Sequence, residues 1–210
     1  MSEKSITELG NPGKPQGEAG IIMLNRMSVS HKNVTDWAFS HLNITGNEAV
    51  LEIGCGSGIA LKKVAGFIDS GNLVGIDHSE ISVELSKNNN SDDIKSGKTQ
   101  IIQSSVENLP FDDDSFDIIY TVESFYFWNN PLECLKEVRR VLAPGGIFMI
   151  AADIYGDAEL TDEEIENVRK YNLFNPTRDQ FRELLERSGF SEIKINTCPG
   201  TNWICTIAVK

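Results

Sequence analysis

From residue 48 onward, apolar positions alternate between two rhythms. Short apolar runs predict strands over 48–53 (EAVLEI), 72–76 (NLVGI), 99–103 (TQIIQ), 116–121 (FDIIYT) and 146–152 (GIFMIAA). Between them lie helical periodicities at about 58–69, 79–90 and 131–142. The third has Pro131 at its first position, Leu135, Val138 and Leu142 as its apolar stripe, and Pro144-Gly145-Gly146 as its expected stop. Strands that alternate with helices pair in parallel through right-handed crossovers, which predicts a doubly wound α/β sheet.

Both ends of the chain break this rhythm. Residues 1–20, rich in Gly, Pro, Lys and Glu, read as a flexible arm preceding one domain over 21–210. Val34, Trp37, Ala38, His41 and Leu42 then recur at helical spacing and predict a helix over about 33–42. Near the other end, Thr161-Asp162-Glu163-Glu164 and Thr177-Arg178-Asp179-Gln180 read as capping boxes, with Gly189 ending the second helix. Strands over about 190–196 and 202–209 are separated by five residues, Thr197 to Thr201, too few for a parallel crossover. They must form an antiparallel hairpin, so the mostly parallel seven-stranded sheet closes with one reversed strand.

Composition narrows the chemistry. The 210 residues suit one domain, and 31 Asp+Glu against 19 Lys+Arg give a net charge of −12. No basic stripe offers itself to a phosphate backbone, so nucleic acid is excluded as a partner. The longest apolar run, Ile147 to Ala152, is far too short to span a bilayer, and Met1 to Gly20 lacks the apolar core of a signal peptide. A cytoplasmic protein, monomer or homodimer, is the expectation. Cys55, Cys134, Cys198 and Cys205 form no CxxC pair and no zinc spacing with His31, His41 and His78, so no metal site is expected and the thiols should stay reduced. Asp112-Asp113-Asp114 reads as a solvated turn rather than a metal site.

Glu52-Ile53-Gly54-Cys55-Gly56-Ser57-Gly58 joins the first strand to the following helix. Glycines there let the backbone turn sharply and let a ligand reach main-chain N–H groups. The dinucleotide pattern G-x-G-x-x-G/A fails in both registers, on Ile59 and on Leu61, which disfavours NAD and an oxidoreductase. Gly97-Lys98-Thr99 mimics the end of a P-loop but runs into a strand, with Asp92 where the first glycine belongs. Asp77, ending the second strand about 20 residues past the loop, suits a carboxylate that accepts both ribose hydroxyls of a nucleoside.

These residues resemble class I S-adenosylmethionine-dependent methyltransferases. VLEIGCGSG (50–58) is similar to the family's glycine motif, GIDHS (75–79) to its ribose acid, SSVENLPFDDDSFDIIYTVES (104–124) to its adenine and fourth-strand motifs, and RVLAPGG (140–146) to its fifth-strand entrance. The resemblance implies a Rossmann-like fold and S-adenosyl-L-methionine as cofactor. It places Gly54, Cys55 and Gly56 under the methionine part, Glu52 facing the ammonium, Asp77 on the ribose, His78 against the adenine, and Val106 and Glu107 on the adenine's other side. Relatives often carry Asp where this chain has Ser105, so Ser105, Glu107 or a backbone carbonyl must meet the adenine amino group. Thr121 would end the fourth strand beside the transferable methyl group.

The acceptor is less legible. Thr121-Val122-Glu123-Ser124 is not the NPPY-type motif of base and amide methylation, which leaves a small-molecule acceptor. Glu123, Tyr126 and Trp128 are the candidate acceptor contacts, against the plainer reading of Phe125-Tyr126-Phe127-Trp128 as core packing. His31, and Tyr126 again, are the candidate catalytic groups; a histidine of ordinary pKa near 6.5 can deprotonate a hydroxyl, amine or thiol. By resemblance, residues 21–45, with Asn25 and Met27, form a helical lid, and the helices of 153–188 frame the acceptor pocket. Cys55 reads as a small turn residue rather than a nucleophile. The competing function is cofactor binding without catalysis.

Overall fold

The computed structural model describes residues 3–210, with side chains from residue 6 onward. The chain divides into two compact units, Met1–Ser105 and Val106–Lys210.

The first unit begins with helices α1 (Glu3–Gly10), α2 (Gly17–Ser30) and α3 (Lys32–Phe39) and continues β1 (Ala49–Ile53), α4 (Ile59–Ala65), β2 (Asn72–Asp77), α5 (Glu80–Asn89), α6 (Ser91–Lys95) and β3 (Thr99–Gln103). Its strands are parallel in the order β3-β2-β1, with Ile53 opposite Ile76 and Gly75 opposite Ile101. Leu73, Val74 and Ile76 of β2 are all buried, as expected of a parallel strand covered on both faces. Ser79, two residues beyond β2, caps α5 by accepting the Ser82 N–H.

Residues 1 and 2 of the expected arm lie outside the described residues; most of the remainder is helical. Gly10 lets α1 lie against Ala19 and Met23, whose side chain is fully buried, and the Ser79 hydroxyl donates to the Pro15 carbonyl at 2.6 Å. The helix expected over 33–42 stops at Phe39, because Ser40, His41 and Leu42 N–H groups turn to carbonyls three residues back. Helix α2 falls largely within the helical lid that the resemblance implies over 21–45, but the apolar pattern does not mark it: Ile21, Ile22 and Val29 are exposed while only Met23 and Leu24 among its large side chains are buried.

The second unit runs β4 (Phe116–Val122), a single 3₁₀ turn (Phe125–Phe127), α7 (Pro131–Val141), β5 (Leu142–Ala152), α8 (Asp162–Lys170), α9 (Arg178–Arg187), β6 (Ser191–Thr197) and β7 (Ile204–Val209). Its strand order is β4-β5-β7-β6, with β4 and β5 parallel and β7 antiparallel to both neighbours. Thr161 and Thr177 head α8 and α9 with complete capping boxes, as the sequence predicts. Pro144-Gly145-Gly146 does not itself stop α7. The helix ends at Val141, and the three residues fall inside β5, where pairing jumps from Phe116–Leu142 to Ile118–Ile147. Tyr120, Phe148 and Phe181 are fully buried, each aromatic side chain worth roughly 1.5–3 kcal/mol on the area scale. Among the described residues no helix is long and apolar enough to cross a membrane.

Candidate functional site

In the first unit, Gly54, Gly56 and Gly58 all adopt left-handed backbone, with φ of 75°, 51° and 75°. That conformation is why glycines stand there: side chains with a Cβ rarely adopt it. The Gly54 and Cys55 N–H groups both donate to the Ile76 carbonyl, at 2.8 and 2.9 Å, tying the loop to the end of β2. Around Gly56 there is room, since a Cβ built there would meet only Leu24, at 3.6 Å.

Asp77 closes this arrangement. One carboxylate oxygen accepts the Gly56 N–H at 2.9 Å and the other the Ser79 N–H at 2.8 Å. Burial pushes the Asp77 carboxyl above its ordinary value, while the two backbone donors pull the other way by favouring the ionised form. Each oxygen keeps acceptor capacity for a further donor. Glu52, next to last in β1, is buried as well. The Cys55 thiol is pushed well up by burial and by Glu52 and Asp77, and its Sγ lies 3.7 Å from Ser86 Oγ. A thiol so held is a packing group, not a nucleophile.

His78 is exposed, and its carbonyl accepts from Gln103 Nε2 at 3.3 Å. Ser105 is half-buried, next to Ser104, whose N–H donates to the Asp77 carbonyl. His31 sits half-buried at the junction of α2 and α3, its carbonyl accepting both the N–H and the hydroxyl of Thr35. Met27 is half-buried and Asn25 exposed.

In the second unit, Val106 is buried and Glu107 exposed. Thr121 is fully buried within β4, opposite Ile150, and its hydroxyl oxygen has no hydrogen-bond partner among the described residues. Just beyond β4, Glu123 takes a left-handed φ of 54° and is held there by its N–H on the Ala151 carbonyl at 2.9 Å. For a residue with a side chain this costs on the order of 1–3 kcal/mol, a kind of strain that clusters at working sites.

The Tyr126 hydroxyl donates to Glu123 Oε2 at 2.8 Å. Burial pushes the Glu123 carboxyl well above its usual range, and the charge of Asp153 and a hydrogen bond with it push further the same way. These influences favour the neutral form of the Glu123 carboxyl. Burial, Glu123 and Asp153 likewise push the Tyr126 phenol up, so it acts as a donor and not as a base. Asp153, immediately after β5, was missed by sequence reasoning. The signal was available: it directly follows an apolar strand, much as Asp77 closes β2. Trp128 donates its indole N–H to Ser124 Oγ at 3.2 Å and packs against Phe125 and Phe148. In the acidic turn, Asp113 pairs with Arg140 and Asp114 with Lys210.

The fold is shared with solved structures. The chain superposes on a chain from the complex of the Haloferax volcanii Trm112 methyltransferase activator and a methyltransferase, with TM-score 0.76, 21% identity and coverage of 89% of this chain and 93% of that one. It also superposes on a S-adenosylmethionine-dependent methyltransferase of Thermotoga maritima, with TM-score 0.72, 19% identity, and 90% and 95% coverage. The class is thus a Rossmann-like α/β protein with a mostly parallel seven-stranded sheet and a terminal antiparallel hairpin. Residues 51–150 match the methyltransferase domain family. An O-methyltransferase of Aspergillus nomiae is 28% identical over 180 residues, covering 84% of this chain and 79% of that protein. A demethylmenaquinone methyltransferase of Staphylococcus saprophyticus is 26% identical over 197 residues, covering 81% and 82%. These findings agree on class I S-adenosylmethionine-dependent methyltransferases, and the resemblance drawn from the motifs is borne out.

Proposed function

We propose that this chain binds S-adenosyl-L-methionine through the glycine loop and Asp77 and transfers a methyl group to a small-molecule acceptor. The observation that carries the reading is the Asp77 carboxylate held by the Gly56 and Ser79 N–H groups beside a loop with open space at Gly56. The fit is chemical as well. Asp77 retains acceptor capacity for hydroxyl groups, and buried Glu52 offers negative charge to an ammonium. When bound, the cofactor supplies a methyl group made electrophilic by a sulfonium. The protein's part is to align the acceptor and exclude water.

Glu123 and Tyr126 are assigned to acceptor recognition. A buried carboxyl whose surroundings favour its neutral form, with a phenol hydrogen-bonded to it, can orient a polar acceptor atom. His31 is the group to take a proton from an acceptor that must lose one. Relatives named as an O-methyltransferase and a demethylmenaquinone methyltransferase support a small organic acceptor.

Thermal unfolding with S-adenosylmethionine, S-adenosylhomocysteine and NAD, each in turn, tests the reading. At 100 times Kd a native-state ligand adds about 2.7 kcal/mol, which at this size raises Tm by roughly 5–10 °C. The first two ligands should produce that rise; a rise with NAD alone would sink the proposal. Methyl release from labelled cofactor across amines, phenols, thiols and carboxylates then identifies the acceptor, and transfer to none would leave a binding protein.

A further inference from the structure

The glycine loop is also gripped from behind. Asn90, the residue that caps the C-terminus of α5, is almost wholly buried, and its amide nitrogen donates to the Gly58 carbonyl at 3.0 Å and to the Ser86 carbonyl at 2.9 Å. Both neighbours are acceptors, so the nitrogen must face them. The neighbouring Asn89 donates independently to the Ser57 carbonyl at 2.8 Å. Ser86, one turn earlier, meets Cys55 through its hydroxyl, and a Cβ on Gly58 would collide with Ser86 Oγ and Asn90 Nδ2.

Two consecutive loop residues beyond Gly56 are thus held by their carbonyls, Ser57 and the left-handed Gly58 that caps α4. A helix end needs only the Ser86 bond as a cap. The bond to Gly58 serves the loop instead, and it is kept although the Asn90 amide oxygen is buried with no hydrogen-bond partner among the described residues. A buried amide left half-satisfied is costly in stability, so a site chosen for stability alone would not keep it.

We infer that Asn90, supported by Asn89, is a positioning residue for cofactor binding. It fixes the carbonyls of Ser57 and Gly58, so that the peptide groups of the loop, and the Gly56 N–H that meets Asp77, hold one geometry before the ligand arrives. The inference rests on the cofactor reading above.

The test is calorimetric titration of S-adenosylhomocysteine into the full-length wild type, Asn90→Ala, Asn90→Asp and Asn89→Ala, with Tm measured without ligand. Asn90→Asp keeps the shape but loses the amide donors. The expected result is a Kd raised about tenfold for both Asn90 variants and about threefold for Asn89→Ala. In Asn90→Asp, lowering the pH protonates the introduced carboxyl, returns one donor and recovers part of the affinity; Asn90→Ala should show no such recovery. A lowered Tm with Kd unchanged within twofold would make Asn90 a structural cap only and overturn the inference. Should the Asn90 variants not fold, the half-buried Asn89→Ala decides by its own Kd, and an unchanged value overturns the inference. A wild type that binds no cofactor overturns the cofactor reading and the inference with it; binding by the wild type with unaffected variants overturns the inference alone.

Discussion

Two buried acids stand at strand ends, Asp77 as the last residue of β2 and Glu123 just after β4, and their surroundings treat them differently. Burial raises the proton affinity of both. At Asp77 two backbone N–H groups oppose that effect and favour an anion ready to accept hydroxyl hydrogens. At Glu123 a second carboxyl, Asp153, adds to it and favours the neutral form further. A strand-end acid is therefore not a role in itself. Backbone donors favour the anion at one, and a neighbouring acid favours the neutral form at the other.

Removing the better-supported acid should have the largest effect. Asp77→Ala takes the acceptor from the Gly56 and Ser79 N–H groups and from the proposed ribose contact together. Hydrogen bonds to a charged group are worth about 1.5–3 kcal/mol each, so S-adenosylhomocysteine affinity should fall about 100-fold or more by calorimetry. Unchanged affinity would remove Asp77 from the binding role and erase the contrast with Glu123.

The asymmetry was half legible in the sequence. Asp77 lies in a local pattern, a glycine loop followed by an acid at the next strand end, so spacing alone assigned it. Glu123 was named only as an acceptor contact, because its state depends on Asp153, thirty residues further along the chain, and on a left-handed backbone that no glycine announces. The same limit explains α2 and the bulged entry to β5. Exposed Ile21, Ile22 and Val29 blur a helical stripe, and Pro144-Gly145-Gly146 looks alike as a helix stop or a strand bulge until Leu142 is seen paired with Phe116. The capping boxes at Thr161 and Thr177 needed only four consecutive residues each, and both stood.

Glu123→Gln probes the other side of the comparison with a smaller effect. A native carboxyl value raised above its unfolded value means that the folded state binds more protons between the two. Stability therefore falls as pH rises from about 4.3, the unfolded glutamate value, toward the folded one. The amide keeps the shape and cannot ionise, so the variant should lose this slope and gain roughly 1 kcal/mol over wild type above neutral pH, read by urea unfolding between pH 5 and 9. Identical slopes in the two proteins would mean that Glu123 is ionised in the fold, and the distinction from Asp77 would collapse.

The smallest expected effect comes from a third acid that resembles Asp77 in its partners and not in its setting. Glu48, half-buried just before β1, accepts the Thr45 N–H at 2.9 Å, the Thr45 hydroxyl at 2.6 Å and the Gly46 N–H at 2.8 Å. Burial, the largest single influence, pushes its carboxyl up, but the hydrogen bonds from Thr45, Gly46 and its own N–H together outweigh this and bring it down to about 2. The sign is the reverse of that at Glu123: the stabilisation is complete above the unfolded value near 4.3 and is lost as pH falls toward 2. Glu48→Gln should cost about 1 kcal/mol at pH 7, the ordinary net worth of such a hydrogen-bonded group, and the difference from wild type should shrink between pH 5 and 2 in acid-unfolding curves. Cofactor affinity should not move. If it does, backbone-held acids of the first unit act together, and Asp77 cannot be treated as a separable contact.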